Sequence, residues 1–294
     1  MYDHWFSRHT QDLSGKRVAV CGATGGIGEE LCRHLARLGA ELWLCCRSET
    51  KTQALIASLR ADYPDLDARF VPLDLEDADS VEQAAQTLAQ TPPHVLIHNA
   101  GAYAIPRHTT PQGVDNVFAI NCLGPYVLTE RLLAPMATVG GHVVCVGSIA
   151  HNYSKIDPTD TDFATRSAAS KAYGNAKRHL MLALYERFAH VQGVTLSVVH
   201  PGIAFTNITN HYPKWLFWLI KHPMKVIFMP PRRAALSVLR GVFEPTAYGE
   251  WIGPWLFDVW GLPRKRTLHT FTRAEASIAF DAVERLKYGE SANV

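Results

Sequence analysis

The sequence predicts an α/β fold, a doubly wound and mostly parallel sheet of about seven strands with helices on both faces. Two observations carry this reading. Short apolar runs alternate with helix-like segments from about residue 16 onward, and the first run passes through a glycine cluster directly into a helix. Such repetition implies parallel strands joined by right-handed crossovers. The ligand crevice of a sheet of this kind lies outside the carboxyl ends of its strands.

In chain order, "KRVAVCG" (16–22), "ELWLCC" (41–46), "ARFVPL" (68–73), "HVLIHN" (94–99), "GHVVCVGS" (141–148) and "TLSVVH" (195–200) read as strands buried on both faces. Between them, "EELCRHLARLG" and "SVEQAAQTLAQ" place apolar residues at helical spacing, with Gly or Pro near the ends. The alternation breaks at about residue 203, where the 203–231 stretch is aromatic, basic and punctuated by prolines. A helix over 232–243, a short "EWIG" strand and a helix around 273–287 follow. No linker separates a second unit, so residues 1–294 read as a single domain.

Composition narrows the function classes. A net charge of +2 gives no electrostatic footing for nucleic acid. The 14 histidines are scattered without HExxH spacing, so no metal is expected. Six cysteines without CxxC fall mostly in strand-like runs and read as buried reduced thiols. The opening residues are too polar for a signal-peptide core, and no stretch approaches a membrane span of roughly 20 apolar residues. A cytoplasmic protein is the expectation.

The turn "GATGGIG" (22–28) stands between a strand and a helix, where glycines let backbone amides approach a pyrophosphate. Gly22, Gly26 and Gly28 are the candidates; Thr24 interrupts the GxGxxG pattern, and a plain tight turn would also welcome glycine. After the second strand, the position where a carboxylate would meet a ribose 2′-hydroxyl holds Cys46 and Arg47. A guanidinium there suits a 2′-phosphate, so NADP(H) is favoured over NAD(H); an arginine packed on adenine or solvated is the other reading. Asp74 in "LDLED" is placed to meet the adenine amino group, or to cap a helix.

Tyr173 and Lys177 in "YGNAK" are i,i+4 neighbours on one helix face. Together with "GATGGIG", "HNAG" (98–101), "NCLG" (121–124), "VGS" (146–148) and "HPGIAFT" (200–206), they make the chain resemble the short-chain dehydrogenase/reductase family, whose fold is the Rossmann type. The resemblance covers about residues 15–205 in order and spacing. Ser148 precedes Tyr173 by 25 residues, a longer gap that resembles the retinol-dehydrogenase and protochlorophyllide-reductase-like subgroup of the simple branch. Gly22, Gly25 and Gly28 also fit GxxGxxG of the extended branch. Departures are Cys21 where threonine is frequent, His98 where asparagine is frequent, and Ala176 where serine commonly precedes the lysine.

Hydride transfer to a carbonyl leaves charge on oxygen and calls for a proton donor. A phenol with a pKa near 10 needs a cation to lower it, which makes Tyr173 the general acid/base and Lys177 its modulator. The resemblance implies that Lys177 also holds the nicotinamide ribose, that Ser148 orients the substrate oxygen and that Asn121 holds a water leading to Lys177. It further implies that Asn99, Ala100 and Gly101 pack by the central ribose. Pro201, Gly202, Ile203 and Thr206 would lie against the nicotinamide and phosphate, and Ile27 and Leu75 complete the cofactor set. A homodimer or homotetramer is implied on the same ground.

The resemblance implies a substrate lid at 203–231, where the apolar run 215–220, with Phe205 and Phe228, suggests a hydrophobic aldehyde, ketone or alcohol as substrate. Core or subunit-interface packing is the competing reading, and Lys214, Lys221, His222 and Lys225 around the run would suit a membrane surface. The "PRKR" stretch (263–266) would serve the lid or be solvated. An NADP(H)-binding sensor without turnover, or an extended-type epimerase, are the alternatives to a working oxidoreductase.

Overall fold

The computed structural model describes residues 2–203 and 229–287. An N-terminal helix α1 (Tyr2–His9) precedes the sheet. Strands β1 (Arg17–Cys21), β2 (Glu41–Cys46) and β3 (Ala68–Pro72) then alternate with α2 (Gly26–Arg37), α3 (Glu49–Asp62) and α4 (Ala78–Gln90). Beyond β4 (Val95–His98), a short α5 (Asn116–Phe118) passes through a π-turn (Ala119–Leu123) into α6 (Gly124–Ala137). Next come β5 (His142–Val146), a 3-10 turn (Ile149–Tyr153), α7 (Ala169–Phe188), β6 (Thr195–Val199), α8 (Pro231–Phe243), β7 (Glu250–Leu256), β8 (Trp260–Thr267) and α9 (Arg273–Lys287).

These eight strands form one sheet in the order β3-β2-β1-β4-β5-β6-β7-β8. Pairing is parallel from β3 through β7, and β8 closes the edge antiparallel to β7. The chain winds outward from β1 to β3, then returns to β4 beside β1. The crevice therefore opens at the carboxyl ends of β1 and β4.

Strand β8 corrects the reading of "PRKR" as lid or solvated chain. Pro263 and three successive cations hide its strand character, yet proline and charge are tolerated on an exposed edge and discourage edge-to-edge pairing. Its hairpin turns through Phe257 and Asp258, both with positive φ, without the glycine that would announce the turn. Helix α1 is also absent from the sequence reading; Trp5 and Phe6 anchor it in the core.

Alternate residues of each strand feed two cores. Ala19, Cys21, Leu96, Val143 and Cys145 face α4, α6, α7 and α9, whereas Val18, Val20, Leu44, Ile97 and Val144 face α1, α2, α3 and α8. All six cysteines are free and buried. Among the described residues no helix is long and apolar enough to cross a membrane.

The π-turn has a chemical origin. Pro125 lacks the N–H that would bond the carbonyl of Asn121 four residues back, and Gly124 instead donates to Ala119, five back. Gly124 is required at this point because a Cβ would lie 2.3 Å from the carbonyl oxygen of Leu75.

Candidate active site

Helices α3 and α4 begin at side-chain caps: Ser48 accepts from the Lys51 amide and Asp77 from the Asp79 amide. Helix α2 begins at Gly25, which has no side chain to offer, so its first-turn amides are left for an anion from outside. Gly22 has φ +81°, and a Cβ there would lie 2.6 Å from the Cα of Ala100. At Gly28 a Cβ would lie 2.3 Å from the Gly22 carbonyl oxygen. Close backbone approach thus builds the cradle, with Thr24, Gly26 and Ile27 partly exposed along it. Asn99 donates from Nδ2 to the Gly22 carbonyl (2.9 Å), tying the end of β4 to that of β1. This uncapped, side-chain-free turn fits a pyrophosphate.

Arg47 is exposed just past β2 and makes no hydrogen bond or ion pair to a described residue. Asp74 is partly buried, and its Oδ1 accepts from the Glu76 amide (3.2 Å). Since Asp77 caps α4, the capping alternative for Asp74 falls away. The Leu75 side chain is buried in the core.

Three elements, the π-turn, the end of β5 and α7, bring Asn121, Ser148, Tyr173 and Lys177 together. Asn121 leaves the π-turn and donates from Nδ2 to the carbonyls of Val117 (2.8 Å) and Ala102 (2.9 Å), while its Oδ1 accepts from the Ala102 amide (3.1 Å). Lys177, on α7, is buried and donates from Nζ to the Val146 carbonyl at the end of β5 (3.0 Å). A Cβ on Gly101 would sit 3.0 Å from Asn121 Oδ1 and 3.6 Å from Lys177 Nζ, so the backbone there runs close to both. Ser148 follows β5, caps the 3-10 turn by accepting from the Ala150 amide (3.2 Å), and faces the Tyr173 hydroxyl, whose pKa it lowers.

The electrostatics differ from the simple picture of a cation lowering its neighbour's pKa. Burial pushes the Tyr173 phenol up to about 12, and the Ser148 hydrogen bond is what pulls it down. The Lys177 ammonium stands 5.9 Å from the Tyr173 ring centroid and spends a hydrogen bond on Val146. Burial also lowers the Lys177 pKa. Desolvation therefore outweighs the helix-turn pairing read from the sequence.

Tyr103, two residues beyond Gly101, meets the Tyr173 ring edge-to-face at 5.5 Å and 89°. The sequence reading missed it; its only signal is an aromatic directly after the "HNAG" loop. The long gap between Ser148 and Tyr173 is filled by residues 154–168. Arg107 donates from Nη2 to the Phe163 carbonyl (2.7 Å), and Asn175 ties the segment to α7 through the Thr161 carbonyl (2.8 Å).

Pro201 and Gly202 are buried after β6, with Ile203 partly exposed. Gly202 has φ +83°, and a Cβ would touch Met229, the Val259 carbonyl and Pro254 within 2.9 Å. The Met229 amide bonds the Ile203 carbonyl (2.9 Å), joining the two flanks of the expected lid. Thr206, the run 215–220 and the basic residues around it lie outside the described residues. At the adjoining β7–β8 hairpin, Trp255 and Phe257 are 56% and 85% exposed.

Fold and site together define an α/β protein with a Ser–Tyr–Lys centre at the carboxyl end of a doubly wound sheet. The short chain dehydrogenase family model matches residues 16–216, and the chain belongs to that family as an oxidoreductase of the CH–OH/C=O class. Retinol dehydrogenase 12 of Mus musculus is 36% identical over 217 residues, covering 72% of this chain and 69% of that one. Polyprenol dehydrogenase of Homo sapiens is 30% identical over 249 residues, covering 79% and 74%. The crystal structure of an uncharacterised protein from Mycobacterium paratuberculosis aligns over 97% of both chains with a TM-score of 0.78 at 24% identity.

Proposed function

We propose that this protein is an NADP(H)-dependent oxidoreductase that interconverts a hydrophobic aldehyde or ketone and its alcohol. The observation that carries the reading is the convergence of Asn121, Ser148, Tyr173 and Lys177 at the mouth of the crevice that the glycine turn closes. When bound, the nicotinamide supplies or accepts the hydride.

In reduction, the Ser148 hydroxyl donates to the carbonyl oxygen and orients it, and the Tyr173 hydroxyl gives that oxygen its proton as charge develops. A phenol held near 12 is fully protonated at neutral pH, which suits an acid. Lys177 lies deep enough to hold ribose hydroxyls, and the Asn121 carbonyl, denied a donor by Pro125, is an acceptor for a water that resupplies protons.

Arg47 at the end of β2 favours a 2′-phosphate. The apolar hairpin tip beside Gly202 favours a hydrophobic substrate, as do relatives named for retinol and polyprenol.

The test is NADPH consumption across retinaldehydes, fatty aldehydes, steroid ketones and quinones, beside Tyr173→Phe. Turnover that falls by about 10²–10⁴-fold in the variant with NADPH affinity unchanged is expected. Turnover retained by Tyr173→Phe removes the phenol as the acid.

A further inference from the structure

Ser148 is bonded on both sides of its backbone. Its hydroxyl accepts from the Ala150 amide and faces Tyr173, whereas its carbonyl accepts from the His151 amide (3.1 Å) and from His151 Nδ1 (2.6 Å). A carbonyl only accepts, so Nδ1 carries a proton, and burial, which lowers the pKa of this ring, keeps it neutral with Nε2 bare. The Thr270 hydroxyl, 2.9 Å away, must then donate to Nε2. The imidazole is thus fixed as one neutral tautomer by partners on two elements.

Behind it lies an ion pair of buried Arg178 with partly buried Glu275. Arg178, the residue after Lys177, donates from Nε and Nη2 to the two oxygens of Glu275 at 2.6 Å each. Its remaining bonds reach the carbonyls of His151 (3.0 Å) and Thr270 (2.6 Å). Glu275 lies in the first turn of α9 and also accepts from the Ile156 amide (3.3 Å). The ring of His151 meets Trp251 edge-to-face at 5.4 Å and 85°. On one helix, α7, Lys177 faces the crevice while Arg178 grips the turn that carries Ser148.

We propose that His151 is a positioning residue for Ser148, and that Thr270 at its ring and the Arg178–Glu275 pair at its carbonyl hold it in the orientation that keeps the serine hydroxyl toward Tyr173. A buried ion pair is weak evidence for stability, since apolar packing of the same shape does as well. Direction is what it supplies here: two donors on one carbonyl fix the Ser148 peptide plane and with it the Cα–Cβ vector. Displacement of a catalytic group by about 1 Å costs about 10²-fold in rate. The inference rests on the proposed function for its kinetic arm alone.

The experiment compares His151→Phe, His151→Gln and Thr270→Val with the wild type. Phenylalanine keeps the ring edge on Trp251 and removes both side-chain hydrogen bonds; glutamine restores a donor. In His151→Phe we expect kcat to fall about tenfold or more with NADPH Kd within about twofold of wild type, and crystals to show the Ser148 hydroxyl turned from Tyr173. His151→Gln recovers most of the loss, and Thr270→Val, which folds around an unchanged ion pair, shows an intermediate one. A Ser148 hydroxyl still in its wild-type place beside Tyr173 in crystals of His151→Phe or, should that variant not fold, of Thr270→Val overturns the proposal. That distance is read without substrate, so it decides the role of His151 even if no carbonyl is turned over, an outcome that counts against the function instead.

Discussion

The two sides of the crevice hold their functional groups by opposite means. On the β1–β3 side, the phosphate cradle is made by removing side chains. Gly22 and Gly28 let backbone meet backbone, and Gly25 leaves the α2 amides uncapped. On the β4–β6 side, groups are added: Asn121 and Lys177 bond main-chain carbonyls 19 and 31 residues away, and His151 bonds that of Ser148 three residues back. The lesson is that a site built from absences tolerates no added atom, whereas one built from hydrogen bonds loses function in graded steps as partners are withdrawn.

The sharpest way to break this contrast is Gly28→Ala. A methyl 2.3 Å from the Gly22 oxygen forces the turn open, so we expect NADPH affinity to drop by about 100-fold or more and stability by about 1–3 kcal/mol. A fluorescence titration that gives an unchanged Kd would deny that the turn is closed by contact.

Ser148→Ala probes the other side and should cost about 10–100-fold in kcat. Because the serine bond is what lowers the Tyr173 pKa, its loss raises that value further. Alcohol oxidation needs the phenolate, so the rising limb of its pH–rate profile should move to higher pH. A limb that stays in place would assign it to another group.

Arg47→Asp sharpens the comparison on the nucleotide side. Loss of one charge-assisted contact, with repulsion added, should weaken NADPH by about tenfold or more while sparing NADH. Equal losses for both cofactors would separate Arg47 from the 2′-phosphate.

The smallest effect concerns acid stability. Burial pushes His98 and His200 down to about 3, and His34 and His179 down to about 4, from 6.5. As pH falls below 6.5 the unfolded chain takes up protons that the folded one refuses, so stability is full above that value and declines toward 3. His98→Asn removes one such site and should flatten the fall of Tm with acid by a few degrees, about 2–4 °C. Parallel Tm curves for the two proteins would mean that His98 is solvated more than its burial implies.

Some of this architecture was legible because its cause is local. "ELWLCC" is apolar at every position after the first and forms β2 within the limits read from the sequence. The "YGNAK" spacing places Tyr173 and Lys177 on one helix wherever that helix packs. Strand β8 escaped notice because a hairpin edge can be built from proline and cations once β7 supplies the partner. Helix α1 was equally hidden, resting on Trp5 and Phe6 rather than on periodicity.

By itself, the sequence determined the winding of the sheet, the glycine cradle and the Ser–Tyr–Lys order, since each follows from periodicity or from residues a few positions apart. Tertiary structure alone decided how the phenol titrates, because burial and the Ser148 bond set its pKa while Lys177 turns to Val146. It alone also brought Thr270 and Glu275 behind Ser148, more than a hundred residues away in the chain. Desolvation and long-range hydrogen bonds depend on what folds against a residue, and no local pattern encodes that.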